Sequence, residues 1–147
     1  MKIKSLLLIA AFCVSAQAAD EMSVMKLKAM KRCEGCDLSG ADLYYANLEG
    51  VNLSGANLTK ANLTKANLLN ANLTNANLTN AILASAILEN ANLKTANLKE
   101  AILKNANLKE ANLKGANLTK ANLTNANLRY ANLCKTIMPW GEDNSGC

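Results

Sequence analysis

Cysteine is the residue type in this chain best equipped for chemistry, and one pair has a reactive spacing. Cys33-Glu34-Gly35-Cys36 is a Cys-x-x-Cys motif, a pattern that serves dithiol–disulfide exchange or supplies half of a tetrahedral zinc site. Cys134 and Cys147 lie far away in the sequence, and Cys13 sits in an apolar N-terminal stretch. The usual companions of reactive residues are missing. There is no histidine, so Ser-His-Asp, Cys-His and imidazole–metal arrangements are excluded. The acids are scattered: Glu49, Glu89, Glu100 and Glu110 recur singly instead of pairing across a cleft. Gly40, Gly50, Gly55 and Gly115 are isolated and form no phosphate-cradling loop. The sequence therefore predicts no catalytic residues, no cofactor and no metal site, and a protein that is not an enzyme.

The elements that position these residues follow from one pattern. Leucine occupies every fifth position from Leu38 to Leu133, twenty times without a miss. On an α-helix such leucines step by about 140° and spiral around the surface. In a flat strand they alternate between faces. A short extended segment that turns by a constant angle in each unit is what remains, and that is an all-β solenoid with every leucine facing one axis. Alanine, two places earlier, also points inward and is small enough to let walls approach. Asn or Asp before the leucine suits a tight turn, where a short polar group bonds nearby backbone. The other two positions are mostly polar, as on a solvated wall.

The units Ala-Asn-Leu-Thr-Lys, Ala-Asn-Leu-Thr-Asn and Ala-Asn-Leu-Lys-Glu resemble the pentapeptide-repeat family over residues 36–140, the last unit being the degenerate Thr136-Ile137-Met138-Pro139-Trp140. That resemblance implies a right-handed quadrilateral β-helix with four units per coil. About five coils, about 25 Å tall at the strand-layer spacing, would result. Residues twenty apart would stack, placing Glu89 on Lys109, Glu100 on Lys120 and Ile82 on Ile102.

A solenoid needs covers at both ends. Residues 19–35 are expected to form an N-terminal cap, with a short helix within 21–32 whose Met22, Met25, Met30 and Ala29 lie over the first coil. Met138, Pro139 and Trp140 are expected to plug the other end, with residues 141–147 folding across as a C-terminal tail. Tyr44, Tyr45 and Tyr130 are expected to pack against these caps. Cys33, Cys36, Cys134 and Cys147 allow three disulfide connectivities. Their placement at opposite ends of a rod favours Cys33–Cys36 and Cys134–Cys147, and separates them too widely for one zinc ion.

Residues 1–18 read as a signal peptide: Lys2 and Lys4, an apolar stretch over 6–14, then Ala16-Gln17-Ala18 as a cleavage site. The stretch is too short to span a bilayer, and Phe12 argues against lipidation at Cys13. Export to a periplasm or lumen, or secretion, is expected, with no membrane span in the mature chain. Loss of the two signal lysines lowers the net charge from +5 to +3, too little to predict nucleic-acid binding.

Individuality lies in departures from the repeat. Ile82, Ile87 and Ile102 replace the usual Asn, and with Leu69 and Ala84 they form a candidate interaction patch across two adjacent faces. Lys94, Lys99, Lys104, Lys109 and Lys114 make a basic belt around one coil. The leading expectation is a non-enzymatic exported scaffold that contacts a protein partner, or itself as a homo-oligomer, in the cell envelope. Two alternatives are a DNA mimic that binds gyrase, as the resemblance implies for quinolone-resistance members, and a lattice- or glycan-binding surface built on Thr59, Thr79 and Thr119. Positive charge and export oppose the first, and Lys99 interrupts the threonine row of the second.

Overall fold

A regular five-residue unit in the middle of the chain satisfies all of its own backbone donors. In Ala76-Asn77-Leu78-Thr79-Asn80, the Asn77 N–H donates to Ala56 O one coil below (2.9 Å), and the Leu78 and Asn80 N–H groups donate to Asn97 O and Lys99 O one coil above (2.7 and 3.0 Å). The Ala76 N–H closes a turn on Leu73 O at 3.0 Å. The remaining donor, the Thr79 N–H, is taken by the Asn77 side-chain Oδ1 at 3.2 Å. The pattern recurs along the chain, and an N–H left without such a partner is costly when buried.

The computed structural model describes residues 21–147; the expected signal segment, 1–18, lies outside the described residues. Parallel bridges join residues twenty apart in an unbroken ladder from Arg32↔Asn52 to Asn117↔Ile137. Four units therefore complete one coil, and four faces result. The Ile82 face stacks Asp42, Asn62, Ile82, Ile102 and Asn122; the Ile87 face stacks Asn47, Asn67, Ile87, Asn107 and Asn127. The Asn92 face runs from Arg32 to Asn132, and the Asn97 face from Asp37 to Ile137. Leucines and alanines fill the interior and are almost wholly excluded from solvent between Leu53 and Leu118. Each buried Leu contributes about 1.5–3 kcal/mol before chain entropy is subtracted.

The Asn and Asp residues lie in the bridges, not in the turns as expected. Their side chains reach the turn instead, accepting the N–H two residues on. They also stack: Asn72 Nδ2 donates to Asn52 Oδ1 at 3.1 Å and Asn57 Nδ2 to Asp37 Oδ1 at 3.1 Å. The turn proper is formed by the two residues after each leucine. The second of them has positive φ, as at Asn80 (57°) and Asn90 (56°), the pattern of a type II turn.

Asn suits this left-handed position, whereas β-branched Thr95 (φ 57°) does not. Thr95→Asn is therefore expected to stabilise the protein by up to about 1 kcal/mol, read as a higher midpoint in thermal unfolding.

The ends differ from the expectation in detail. The ladder begins at Arg32, four residues before Cys36, because fully buried Cys33 occupies a leucine position. The N-terminal helix, α1 (Glu21–Met30), is present. Among its described side chains Ser23 and Leu27, one turn apart, are buried, while Ala29 and Met30 face solvent, Met30 at 65% exposure. Leu27, one helical turn from the small Ser23, therefore lies over the coil mouth where Met30 and Ala29 do not. The Met22 and Met25 side chains lie outside the described residues. Lys31 (φ 50°) closes the helix, its N–H bonding Leu27 O at 3.1 Å.

At the other end Met138 occupies a leucine position and is buried, but Pro139 and Trp140 are exposed, Trp140 at 67%. These two residues form a hairpin turn, not a plug. It joins β1 (Thr136–Met138) to β2 (Gly141–Asp143), which pair antiparallel with Ile137 opposite Glu142. The tail continues backwards over the Asn92 face, where Ser145 O accepts the Leu133 N–H at 2.9 Å. Disulfides join Cys33 to Cys36 and Cys134 to Cys147.

Candidate functional site

The Asn-to-Ile departures are places where the repeat gives up a bond. Asn Oδ1 takes the N–H two residues on throughout the ladder, yet after Ile82, Ile87 and Ile102 no group among the described residues accepts the N–H of Ala84, Glu89 or Lys104. The side chains gained in exchange face outward: Ile82, Ile87 and Ile102 are 37%, 42% and 39% exposed. Neither local bonding nor core packing accounts for them.

The register brings four of the five expected patch residues together and spreads the fifth to the edge. Ile82 and Ile102 are bridged neighbours on one face, and Ile87 is one unit further on, on the next face. Ala84 lies at the corner between them. Leu69 sits at the far corner of the Ile87 face, in the column shared by Glu49 and Glu89. Both are partly buried.

The lysine belt does not converge. Lys94, Lys99, Lys104 and Lys109 project from four successive corners, and Lys114 returns to the corner of Lys94. They cannot grip one ligand together. Lys109 is occupied by Glu89 at 2.9 Å and Glu110 at 3.2 Å, and Lys99 lies 3.9 Å from Glu100. Glu100 thus pairs with Lys99, the other residue of its own turn, and not with Lys120 one coil above. The register borders one face with a different subset: Lys60 and Lys99 flank the Ile82 face at one corner, and Lys65 and Lys104 flank it at the other. Period-five reading alone missed this grouping, since it joins residues that only the twenty-residue register brings to one face.

Glu89 and Lys109 are held in their charged forms by each other. The Lys109 hydrogen bond, then that of Asn107 (3.0 Å), lowers Glu89 below the ordinary glutamate value; Glu89, then Glu110, raises Lys109. A depressed carboxylate contributes above its unfolded value and loses that contribution as pH falls through the lower folded one. Conversely, the raised Lys109 contributes below the unfolded lysine value and loses that contribution as pH rises through its elevated folded value. Carbon-detected NMR is expected to place Glu89 below the ordinary glutamate value, and Lys109→Ala to move it back toward that value.

The aromatic residues do not pack on the caps. Tyr44, Tyr45 and Tyr130 are half-exposed or more. Tyr45 accepts a bond from Lys65 Nζ at 2.9 Å, which lowers its pKa, and Tyr130 stacks under Arg129. The threonine row is also internally engaged: Thr59, Thr79 and Thr119 Oγ1 donate to Asn57, Asn77 and Asn117 at 2.7, 2.6 and 2.6 Å. Their hydroxyl protons are thus directed inward along the wall. Among the described residues, a cavity of about 170 Å³ opens between α1 and the first coil, lined by Leu27, Lys31, Leu43, Ala46, Leu48 and Val51. No cluster of three or more potential ligands for a metal ion occurs among the described residues, and no helix among them is long and apolar enough to cross a membrane.

A family model described as pentapeptide repeats matches residues 32–68, 61–100 and 101–138, in eight copies. Among solved structures, the chain is similar to the pentapeptide repeat protein Rfr23 from the cyanobacterium Cyanothece 51142, with 34% identity over 76% of this chain and 92% of that one and a TM-score of 0.58. It is also similar to HetL from Nostoc sp. strain PCC 7120, a pentapeptide repeat protein involved in heterocyst differentiation regulation (33% identity, 75% of this chain and 71% of that one, TM-score 0.31). QnrB1, a plasmid-mediated fluoroquinolone resistance protein, shares 17% identity over 68% of this chain and 61% of its own, with a TM-score of 0.54, and so the fold alone. No curated protein sequence matches the chain. The neighbours imply a right-handed quadrilateral β-helix.

Proposed function

Because the chain belongs to the pentapeptide-repeat family, we propose that it is an exported, non-enzymatic scaffold of about five coils that holds a protein partner on its Ile82 and Ile87 faces. One observation carries this reading. Three positions exchange a hydrogen bond made elsewhere in the ladder for outward-facing isoleucine, and the three are contiguous. Local stability favours Asn there, so the apolar group serves something outside the coil. The filled interior supports a binding role over catalysis, since reacting groups need a cleft to exclude water. The flanking Lys60, Lys65, Lys99 and Lys104 suit a partner whose apolar knobs are rimmed by acids. The signal reading supports a periplasmic, lumenal or secreted location, where the two disulfides persist.

The experiment is crosslinking in the native host followed by mass spectrometry, repeated with Ile82, Ile87 and Ile102 each changed to Asn. The triple variant is expected to fold as well as the parent or better, because each Asn restores a bond worth about 0.5–1.5 kcal/mol. Its partner is expected to be lost. Retention of the same partner by a folded triple variant rejects this surface.

A further inference from the structure

The rod is covered unequally at its two ends, and the C-terminal end is a half-step. The tail lays one additional layer over the Asn97 face through β2 and over the Asn92 face through Ser145. The Ile82 and Ile87 faces end without one. There, among the described residues, no group accepts the N–H of Leu123, Asn125, Leu128 or Tyr130, although the equivalent donors one coil below are all bonded upward. Leu123 and Leu128 are only partly buried, whereas Leu103 and Leu108 beneath them are fully excluded from solvent. Half of this end is therefore a recessed, unpaired β-edge, and the other half projects above it through the Asn132 and Ile137 rungs and the tail laid on them.

We propose that this end is an isologous interface with a second copy of the chain, each tail completing the open half of the other. A two-fold axis across the end, through the corner between the Ile87 and Asn92 faces, exchanges covered and uncovered halves. Every face then has one tail strand between two coils, and no layer is doubled or missing. Strand direction fits as well. β2 runs antiparallel to its own coil, so after the two-fold flip it runs parallel to the partner's coil, the sense in which the ladder is built.

The chemistry of the two halves is complementary. The projecting strand carries Glu142 and Asp143, and the recessed half is bordered by Lys120 and Arg129. By the register of Ile137 with Glu142, the partner's Glu142 lies over Asn122. The Nδ2 of Asn122 has no acceptor beneath it because Ile102 occupies that place. Asn107, above Ile87, has the same vacancy below and donates to Glu89 instead, so an Asn over an Ile readily takes a neighbouring carboxylate.

Sedimentation equilibrium of the oxidised protein is expected to give twice the chain mass in the micromolar range. Glu142→Arg, at an exposed tail position, is expected to weaken association about tenfold or more without loss of fold. Asn122→Cys combined with Glu142→Cys is expected to give a covalent dimer on oxidation, since these positions lie on different faces of one chain and meet only across the axis. Asn122→Cys alone stays uncrosslinked. A monomeric mass throughout, an unchanged association constant for Glu142→Arg, or a dimer in which the paired cysteines fail to join overturns the interface.

Discussion

Leu78→Ala is expected to lower the unfolding free energy by about 2–5 kcal/mol, and Leu128→Ala by roughly half as much. Leu78 is fully excluded from solvent in the middle of the rod, whereas Leu128 is only partly buried at the open end. The cost of such a deletion depends on how far the surroundings collapse into the space. Here they collapse little. The wall that carries Leu78 is tied to the coils above and below through Asn97 O and Ala56 O at 2.7 and 2.9 Å, so the backbone cannot move inward without breaking ladder bonds. At the open end no coil is stacked above, and part of the side chain already meets solvent. In a solenoid each coil contacts only its neighbours, so the two variants differ by position, not by residue type. Urea unfolding checks this: a lower midpoint with an unchanged slope for Leu78→Ala, and a smaller shift for Leu128→Ala. Equal shifts would mean that the end is as tightly closed as the middle.

Cys147→Ser is expected to free the tail, at a cost of about 3 kcal/mol for a thirteen-residue loop in the chain-entropy account. The effect is local. The Leu133 N–H, which bonds Ser145 O, is expected to lose hydrogen-exchange protection, while the Ile137 N–H, bonded to Ala116 O in the ladder beneath, keeps it. Cys36→Ser is expected to act more weakly, because the Cys33–Cys36 bridge spans three residues and a short loop holds little entropy to remove. Its cost comes instead through Cys33, which fills a leucine position in the core.

Much of the interior was legible in the residues. Leucine and alanine positions point inward because any constant-turn backbone with this period sends them there. The stacking of Ile82 on Ile102 and of Glu89 on Lys109 followed once four units per coil was adopted. The role of Asn was only half legible. A short polar side chain before leucine signals bonding to nearby backbone, yet whether it sits in the turn or in the bridge depends on where the rung falls. The candidate patch kept its three isoleucines together, while Leu69 went to a corner shared with glutamates. The belt of Lys94, Lys99, Lys104, Lys109 and Lys114 remained a belt, and for that reason it is not a site. Four corners point four ways.

What the sequence determined by itself is the repeating rung, because a rung is specified within five residues and is identical wherever it recurs. What only the tertiary structure decided is how the rod ends and which departures meet. Leu27 covers the first coil in place of Met30 and Ala29, Cys33 stands in for a leucine, Trp140 turns a hairpin outside the core, and the tail covers two faces and leaves two open. These are contacts between segments that no period relates. Their outcome depends on the shape of a coil mouth and on the count of unpaired edges, quantities that exist only once the chain has closed on itself.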